Sequence, residues 1–324
     1  MQMAKKSRTS RSGLVAAAAC GVAVGTAFGT FVLSPNLPGG ALQESHDAVV
    51  ALEQSEQEAR IAKAQASTAD SYIEASSTKF VADALKDIPV VVMTTDDADA
   101  DDVASVDTLL QASGASVVGR IGLTEKFFQQ DSAEALKSIV ANTLPAGAQL
   151  SVDNLDPGTH AGEALGAALL TDAEGKPMAD EQERALLLNA LQQAGFMNIE
   201  GAKDAARVAI IITGEQQHED NSDVISPYAE TNLGRLALGM NERGSGVVLA
   251  GRINTAADGG AIDVVRTAQE RDSGSAQGAI RGVSTIDSVN MVYGQIGVIL
   301  SARDQLLGKF GAYGAAESAE AAGP

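Results

Sequence analysis

Apolar and polar positions along the chain fall into three regimes. The first is GLVAAAACGVAVGTAFGTFVL, Gly13 to Leu33, which carries no charged residue. Its length matches the roughly 20 apolar residues a helix needs to cross a bilayer. The second begins after a linker containing Pro35, Pro38, Gly39 and Gly40, and runs from Ala41 to Ile88 without Gly or Pro. Leu42, Val49, Leu52, Ala59, Ala66 and Ile73 recur there on a seven-residue repeat, while Glu56, Lys63 and Asp70 occupy the alternate apolar position. This predicts a long helix with one apolar seam, marginal as a coiled coil by itself and suited to a partner helix. A single solvated stalk helix is the alternative.

The third regime starts at Ile88. Short apolar runs appear at 88–93, 115–123, 206–212, 246–250 and 295–300, most of them continuous rather than alternating. Strands buried on both faces of a parallel sheet read this way. Between them lie helical stretches such as DDVASVDTLLQAS and DEQERALLLNALQQAG. The alternation predicts right-handed crossovers and a doubly wound, Rossmann- or flavodoxin-like α/β domain with a mostly parallel sheet. The predicted organisation is a basic tail (1–12), a transmembrane helix (13–33), a linker and coiled-coil stalk (34–87), an α/β domain (88–311) and a disordered small-residue tail (312–324).

Charge orients the first segment. Lys5, Lys6, Arg8 and Arg11 precede it, and the first acid is Glu44. Cations just before a span hold that side in the cytoplasm, so a single-pass protein with its bulk outside the cell membrane is expected. A cleaved signal would have a shorter apolar run and a small-residue site, and a lipoprotein signal would use Cys20. Gly21, Gly25 and Gly29 share one face of the span, where a second helix could approach closely. The formal net charge of −19 argues against nucleic acid. With one cysteine, Cys20, no intrachain disulfide and no cysteine metal cage can form.

Candidate chemistry is concentrated in VVVMTTDDADADDV. Asp96, Asp97 and Asp99 follow the first strand, at the end of a parallel sheet where ligands bind, and would suit Ca²⁺ or Mg²⁺. The competing reading is a helix start near Ala98, capped by Thr95 or Asp96, with acids in its first turn. His160 and Glu163 form H-x-x-E on a helix of small residues, and His218-Glu219-Asp220 lies in a polar loop. Gly244-Ser245-Gly246 precedes a strand instead of following one, so it does not make a dinucleotide fingerprint. No catalytic constellation emerges, and neither an enzyme activity nor a cofactor is expected.

TTDDADADDVASVD, SAEALKSIVANTLPAGAQLS, HAGEALGAALLTDAEG, RGSGVVLAGR and QIGVILSARDQLLGKFGAYG resemble the mycobacterial copper transport protein B family, MctB. The resemblance runs from the membrane segment to about Gly314. It implies copper efflux, in a family described as an outer-membrane channel. Corynebacterial relatives of the SteB type resemble single-pass proteins that regulate cell separation with a membrane partner and a peptidoglycan hydrolase. The residues show no copper path: Cu(I) prefers sulfur and Cu(II) imidazole, yet His46, His160 and His218 are scattered and the seven Met form no M-x-x-M run. Nor do long alternating strands with aromatic girdles mark an outer-membrane barrel. The expectation is a non-enzymatic envelope scaffold or regulator working through its coiled coil, as a homo-oligomer or with a partner. The alternative is a copper-transport or outer-membrane channel component, with copper entering through the resemblance alone.

Overall fold

The computed structural model describes residues 41–214, 227–273 and 282–324. The expected transmembrane segment, with Cys20, Gly21, Gly25 and Gly29, lies outside them, as does His218-Glu219-Asp220. Among the described residues no helix is long and apolar enough to cross a membrane.

Helix α1 (Ala41–Val81) is continuous, as the lack of Gly and Pro permits. The side chains of Leu42, Val49, Leu52 and Ala66 lie outside the described residues. Ala59 is exposed, and so is every other described side chain from Gln54 to Ser67. Ile61 and Tyr72, exposed by 50% and 75%, are apolar surface off the heptad seam.

Residues 68–324 form a compact unit. Its sheet has seven strands in the order β3-β2-β1-β4-β5-β6-β7. They are β1 (Pro89–Thr95), β2 (Ser116–Leu123), β3 (Met197–Gly201), β4 (Val208–Ile212), β5 (Val247–Ala250), β6 (Ser284–Ile286) and β7 (Ala312–Tyr313). All neighbours pair parallel except β2 and β3. Side-chain alternation gives the sheet two buried faces. Val90, Val92, Val208, Ile210 and Val248 face helices α2 (Ala100–Ala112) and α8 (Val292–Gln305). Val91, Met93, Ala209, Ile211 and Leu249 face α3 (Ala133–Asn142), α4 (Pro157–Leu169), α5 (Glu181–Gln193), α6 (Pro227–Arg243) and α7 (Ala261–Ser273). The continuous apolar runs at β1, β4 and β5 are therefore what two-sided burial demands.

Four expectations are corrected. Residues 295–300 are helical, not a strand: Ile296, Val298, Ile299 and Ala302 are buried in α8, and a short apolar run has the same pattern in a buried helix. The core of the α/β domain, the head of the molecule beyond the α1 stalk, begins before Ile88, because Val81 and Leu85 are fully buried in it and Ile73 of the seam packs against it. The tail, expected to be disordered from residue 312, supplies β7 and returns to it, with the Gly314 N–H donating to the Ala321 carbonyl. Finally, the crossovers do not share one hand. β1–α2–β2 and β4–α6–β5 run toward opposite edges with helices on opposite faces, as the right-handed rule requires. β6–α8–β7 runs the same way as β4–α6–β5 but carries its helix on the other face, an arrangement found in about 2% of such units.

A buried ion pair holds that unusual last strand. Arg266 of α7 donates to the Asp287 carboxylate (2.9 Å), the Thr285 hydroxyl (2.9 Å), the Ser318 hydroxyl (2.8 Å) and the Tyr313 carbonyl (3.0 Å). Asp287 Oδ1 accepts from the N–H groups of Ala315 (2.7 Å) and Ala316 (3.2 Å). One guanidinium and one carboxylate thus tie α7, β6, β7 and the carboxyl-terminal segment together.

Candidate functional site

The strand order reverses between β1 and β4, the point in an open α/β sheet where a crevice forms beyond the strand ends. The Thr95 hydroxyl, at the end of β1, donates to that of Thr213 just past β4, at 3.1 Å, and both are buried. The turns beyond them touch: a Cβ at Gly214 would collide with the Asp97 carbonyl, so no larger residue fits there. Beside them opens a cleft of about 720 Å³, closed by the 3₁₀ turns Glu125–Phe128 and Gln130–Ser132 and the start of α6. Its polar lining includes Asp96, Asp97, Glu125, Asp131 and Glu230.

The acidic stretch is divided between two tasks. Asp99, not Thr95 or Asp96, caps α2, its carboxylate accepting from the N–H groups of Asp101 (2.9 Å) and Asp102 (3.4 Å). Arg252, just beyond β5, binds both Asp99 and Asp102, each at 2.8 Å. That half of the stretch is a helix start clamped to a neighbouring strand end. Asp96 and Asp97 instead line the cleft. The three candidate metal ligands Asp96, Asp97 and Asp99 are therefore not brought together. Among the described residues no three His, Cys, Asp or Glu side chains are placed to hold a metal ion.

Titration follows this division. The N–H groups of Asp101 and Asp102, with help from Arg252, hold the Asp99 carboxyl below the usual range. Burial pushes Asp96 upward, with like charge from Asp97 and Glu125 adding to it against opposing backbone hydrogen bonds. Burial also pushes Glu230 upward, opposed by the Ala261 N–H and reinforced by Asp97. For Asp99 the consequence has a definite sign. Its folded value is depressed, so its stabilisation is present above the unfolded value of about 4 and is lost as pH falls through the folded one. Thermal unfolding between about pH 3 and 6 should show Asp99→Ala less stable than wild type at the upper end, with the gap closing toward the lower. Asp99→Asn, which can still cap, should lie nearer wild type at pH 6. A gap independent of pH would refute the charge contribution.

The remaining candidates are structural. His160 is buried, and its Nε2 lies 3.0 Å from the Ser151 carbonyl, to which it donates. Glu163, 1% exposed, accepts from the Ser151 N–H (2.7 Å) and pairs with Arg243 (3.0 Å). H-x-x-E is thus a staple joining α4 to the loop before it and to α6. Gly244-Ser245-Gly246 packs against the preceding crossover: the Ser245 hydroxyl donates to the Arg207 carbonyl and lies 3.2 Å from that of Thr171. Met93, Met197 and Met240 are in the core. Sequence reasoning passed over Glu125, Asp131 and Glu230, which reach the cleft from segments distant in the chain. Their only local signal is position after β2 and at the start of the helix following β4.

The comparisons with known proteins cover nearly the whole chain. The family model described as "Copper transport outer membrane protein, MctB" matches residues 12–324. The protein named Copper transporter MctB from Mycobacterium tuberculosis is 30% identical over 310 residues, 94% of this chain and 95% of the relative. Its Mycobacterium bovis counterpart has the same identity and coverage. That of Mycobacterium leprae is 35% identical over 249 residues, 74% of each chain.

Proposed function

The chain belongs to the MctB family, and on that premise we propose that it is a cell-envelope protein related to copper transport, acting without catalysis through contacts with other proteins. One observation carries this reading. Helix α1 continues well before the compact unit, and every described side chain from Gln54 to Ser67 is exposed. Isolated helices are marginal in water and draw most of their stability from packing. A helix of this length with apolar positions on a heptad is suited to a partner helix, from a second copy or from another envelope protein. The head supports the reading through its donors. Its buried methionines and His160 are engaged in packing and hydrogen bonding, and the cleft offers oxygen where copper prefers sulfur or imidazole. In this reading the uncharged segment 13–33 anchors the chain with its bulk outside, and the partners belong to cell separation, such as a regulator or a peptidoglycan hydrolase. The relatives' names favour a second reading, a copper-efflux or outer-membrane channel component.

A double variant separates the two. Val49→Asp with Leu52→Asp places two carboxylates on the seam, each costing several kcal/mol if buried unpaired in an interface. The head should stay folded, because its own core begins with Ile73 and Val81. In a strain lacking the chromosomal copy, the variant should accumulate to normal levels and leave cell separation defective. Full rescue of cell separation refutes the first reading. Copper retained in cells that otherwise separate normally would support the second.

A further inference from the structure

We propose that the outer edge of β3 pairs with β3 of a second copy of this chain, joining two seven-stranded sheets into one. The inference concerns the head, goes beyond the stalk-based reading and does not depend on it. An uncovered sheet edge is a row of unpaired N–H and C=O groups, a template for another strand. The molecule treats its two edges differently. At β7 the carboxyl-terminal segment folds back along the edge. Tyr313 bridges to Ala321, the Gly314 N–H donates to the Ala321 carbonyl (2.9 Å), and the Glu320 N–H donates to the Ala312 carbonyl (2.7 Å). At β3 no segment does this among the described residues.

The hydrogen bonds of β3 show what this edge offers. The Ala202 N–H donates to the Val118 carbonyl (2.8 Å) and the Thr124 N–H to the Phe196 carbonyl (3.1 Å). Hydrogen-bonded pairs alternate along antiparallel strands, so Asn198 and Glu200 also bond β2. Met197, Ile199 and Gly201 therefore turn their N–H and C=O groups outward. There they have no protein partner among the described residues. Between Met197 and Gly201 stand no proline, no lysine and no bulge, the features that commonly block an edge.

The strand is complementary to itself, which favours a second copy over a foreign strand. A two-fold axis at Ile199 makes an isologous contact. It sets Met197 opposite the second copy's Gly201, and Ile199 opposite its own counterpart. All three outward residues then exchange bonds, about six in all. Glu200 falls opposite the second copy's Asn198, whose amide can donate to it. Centring the axis on Glu200 instead sets two carboxylates face to face, which is destabilising. Centring it on either neighbour also leaves one outward residue beyond the partner strand. The axis stands perpendicular to the sheet, so like faces stay together. Helix α5, packed on β3, comes to the same side as its counterpart and carries Leu186, 58% exposed. On the opposite face lie the last turns of α1, whose Ile73 and Val81 pack there. Both stalks thus end on one side of the joined sheet, as two chains held in one membrane would need.

The test is disulfide crosslinking and sedimentation of the full chain in non-ionic detergent. With Cys20→Ser throughout, one chain carries Asn198→Cys and another Glu200→Cys, both at exposed positions. In the paired strands these residues face each other at about 4.5 Å between Cα atoms, within disulfide range. Two copies of either chain alone place their cysteines about 7–8 Å apart, beyond that range. The mixed chains should crosslink several-fold faster than either chain alone. Crosslinking should persist with Val49→Asp and Leu52→Asp in both chains, so failure of the stalk reading would leave this inference standing. Ile199→Pro should raise the dimer's dissociation constant about tenfold or more, because it removes an outward N–H and no bond within the chain. Asn198→Glu sets like charges opposite each other, and carries the test should Ile199→Pro fail to fold. A protein monomeric at every concentration overturns the inference and leaves the edge to a strand from another protein. So does a mixture that crosslinks no faster than its parts, crosslinking lost with the stalk variant, or a dimer indifferent to both edge variants.

Discussion

Replacing Asp287 with Ala should destabilise the α/β unit by about 3–5 kcal/mol, the usual cost of removing one partner from a buried ion pair. Arg266 and Asp287 have side chains 3% and 0% exposed, so the guanidinium left behind can neither reach water nor find another carboxylate. The damage extends beyond the pair. Asp287 also accepts the backbone N–H groups of Ala315 and Ala316, and their loss frees the carboxyl-terminal segment that returns along β7. β7 pairs with β6 through only two residues and closes a crossover of the rare hand, so little else holds it. Urea unfolding followed by circular dichroism gives the stability change, and carboxypeptidase trimming of residues 312–324 reports the freed segment. Asp287→Ala combined with Arg266→Leu should recover part of the loss, because the orphaned charge is then gone. A single-variant change below about 1 kcal/mol would mean that the pair is not a clasp.

The same segment shows where sequence reasoning stopped. The two-sided strands β1, β4 and β5 were legible because a continuous apolar run flanked by helical stretches fits a buried parallel strand and little else. β3 escaped because it is an antiparallel edge strand, with Met197 and Ile199 facing the core and Asn198 and Glu200 facing out. β6 and β7 have three and two residues, too few for a period, and are specified by Arg266 and Asp287 across the fold. At the site, the acidic stretch itself was legible and so was its position beyond a strand end. The identity of the cap was not: Asp96 and Asp99 are equally good capping residues by type, and it is Asp99 whose carboxylate accepts the first N–H groups of α2 and meets Arg252. The cleft lay beyond reach for a related reason. Glu125, Asp131 and Glu230 are unremarkable singly, and the order of the strands is what assembles them.

Gly162→Ala should destabilise the unit by about 2 kcal/mol or more, although alanine is the better helix former by about 1 kcal/mol. Gly158, Gly162 and Gly166 recur every four residues along α4 and face Asn232, Leu236 and Met240 of α6. This small-residue face lies on a described helix, unlike the one expected at Gly21, Gly25 and Gly29, and its spacing was equally visible. A Cβ at Gly162 would fall on the Leu236 carbonyl, and one at Gly239 of α6 would lie 2.6 Å from the Thr159 carbonyl. The obstacle is backbone on both sides, so no side-chain rotation relieves it and the helices must separate. Separation would stretch the Glu163–Arg243 pair and the Glu163 contact to Ser151 on the neighbouring turn. Overpacking alone costs about 1–3 kcal/mol, and Gly162→Leu, with no space for its branch, should not fold. Gly122→Ala is the contrasting case. The nearest atoms to a Cβ there are Asn198 Cβ and Thr94 Oγ1, both at 3.9 Å, so that change should stay within about 0.5 kcal/mol of wild type. Denaturation midpoints for the two alanine variants, measured side by side, separate helix contact from glycine content. Equal effects at both positions would show that the α4–α6 approach is not what the glycines are for.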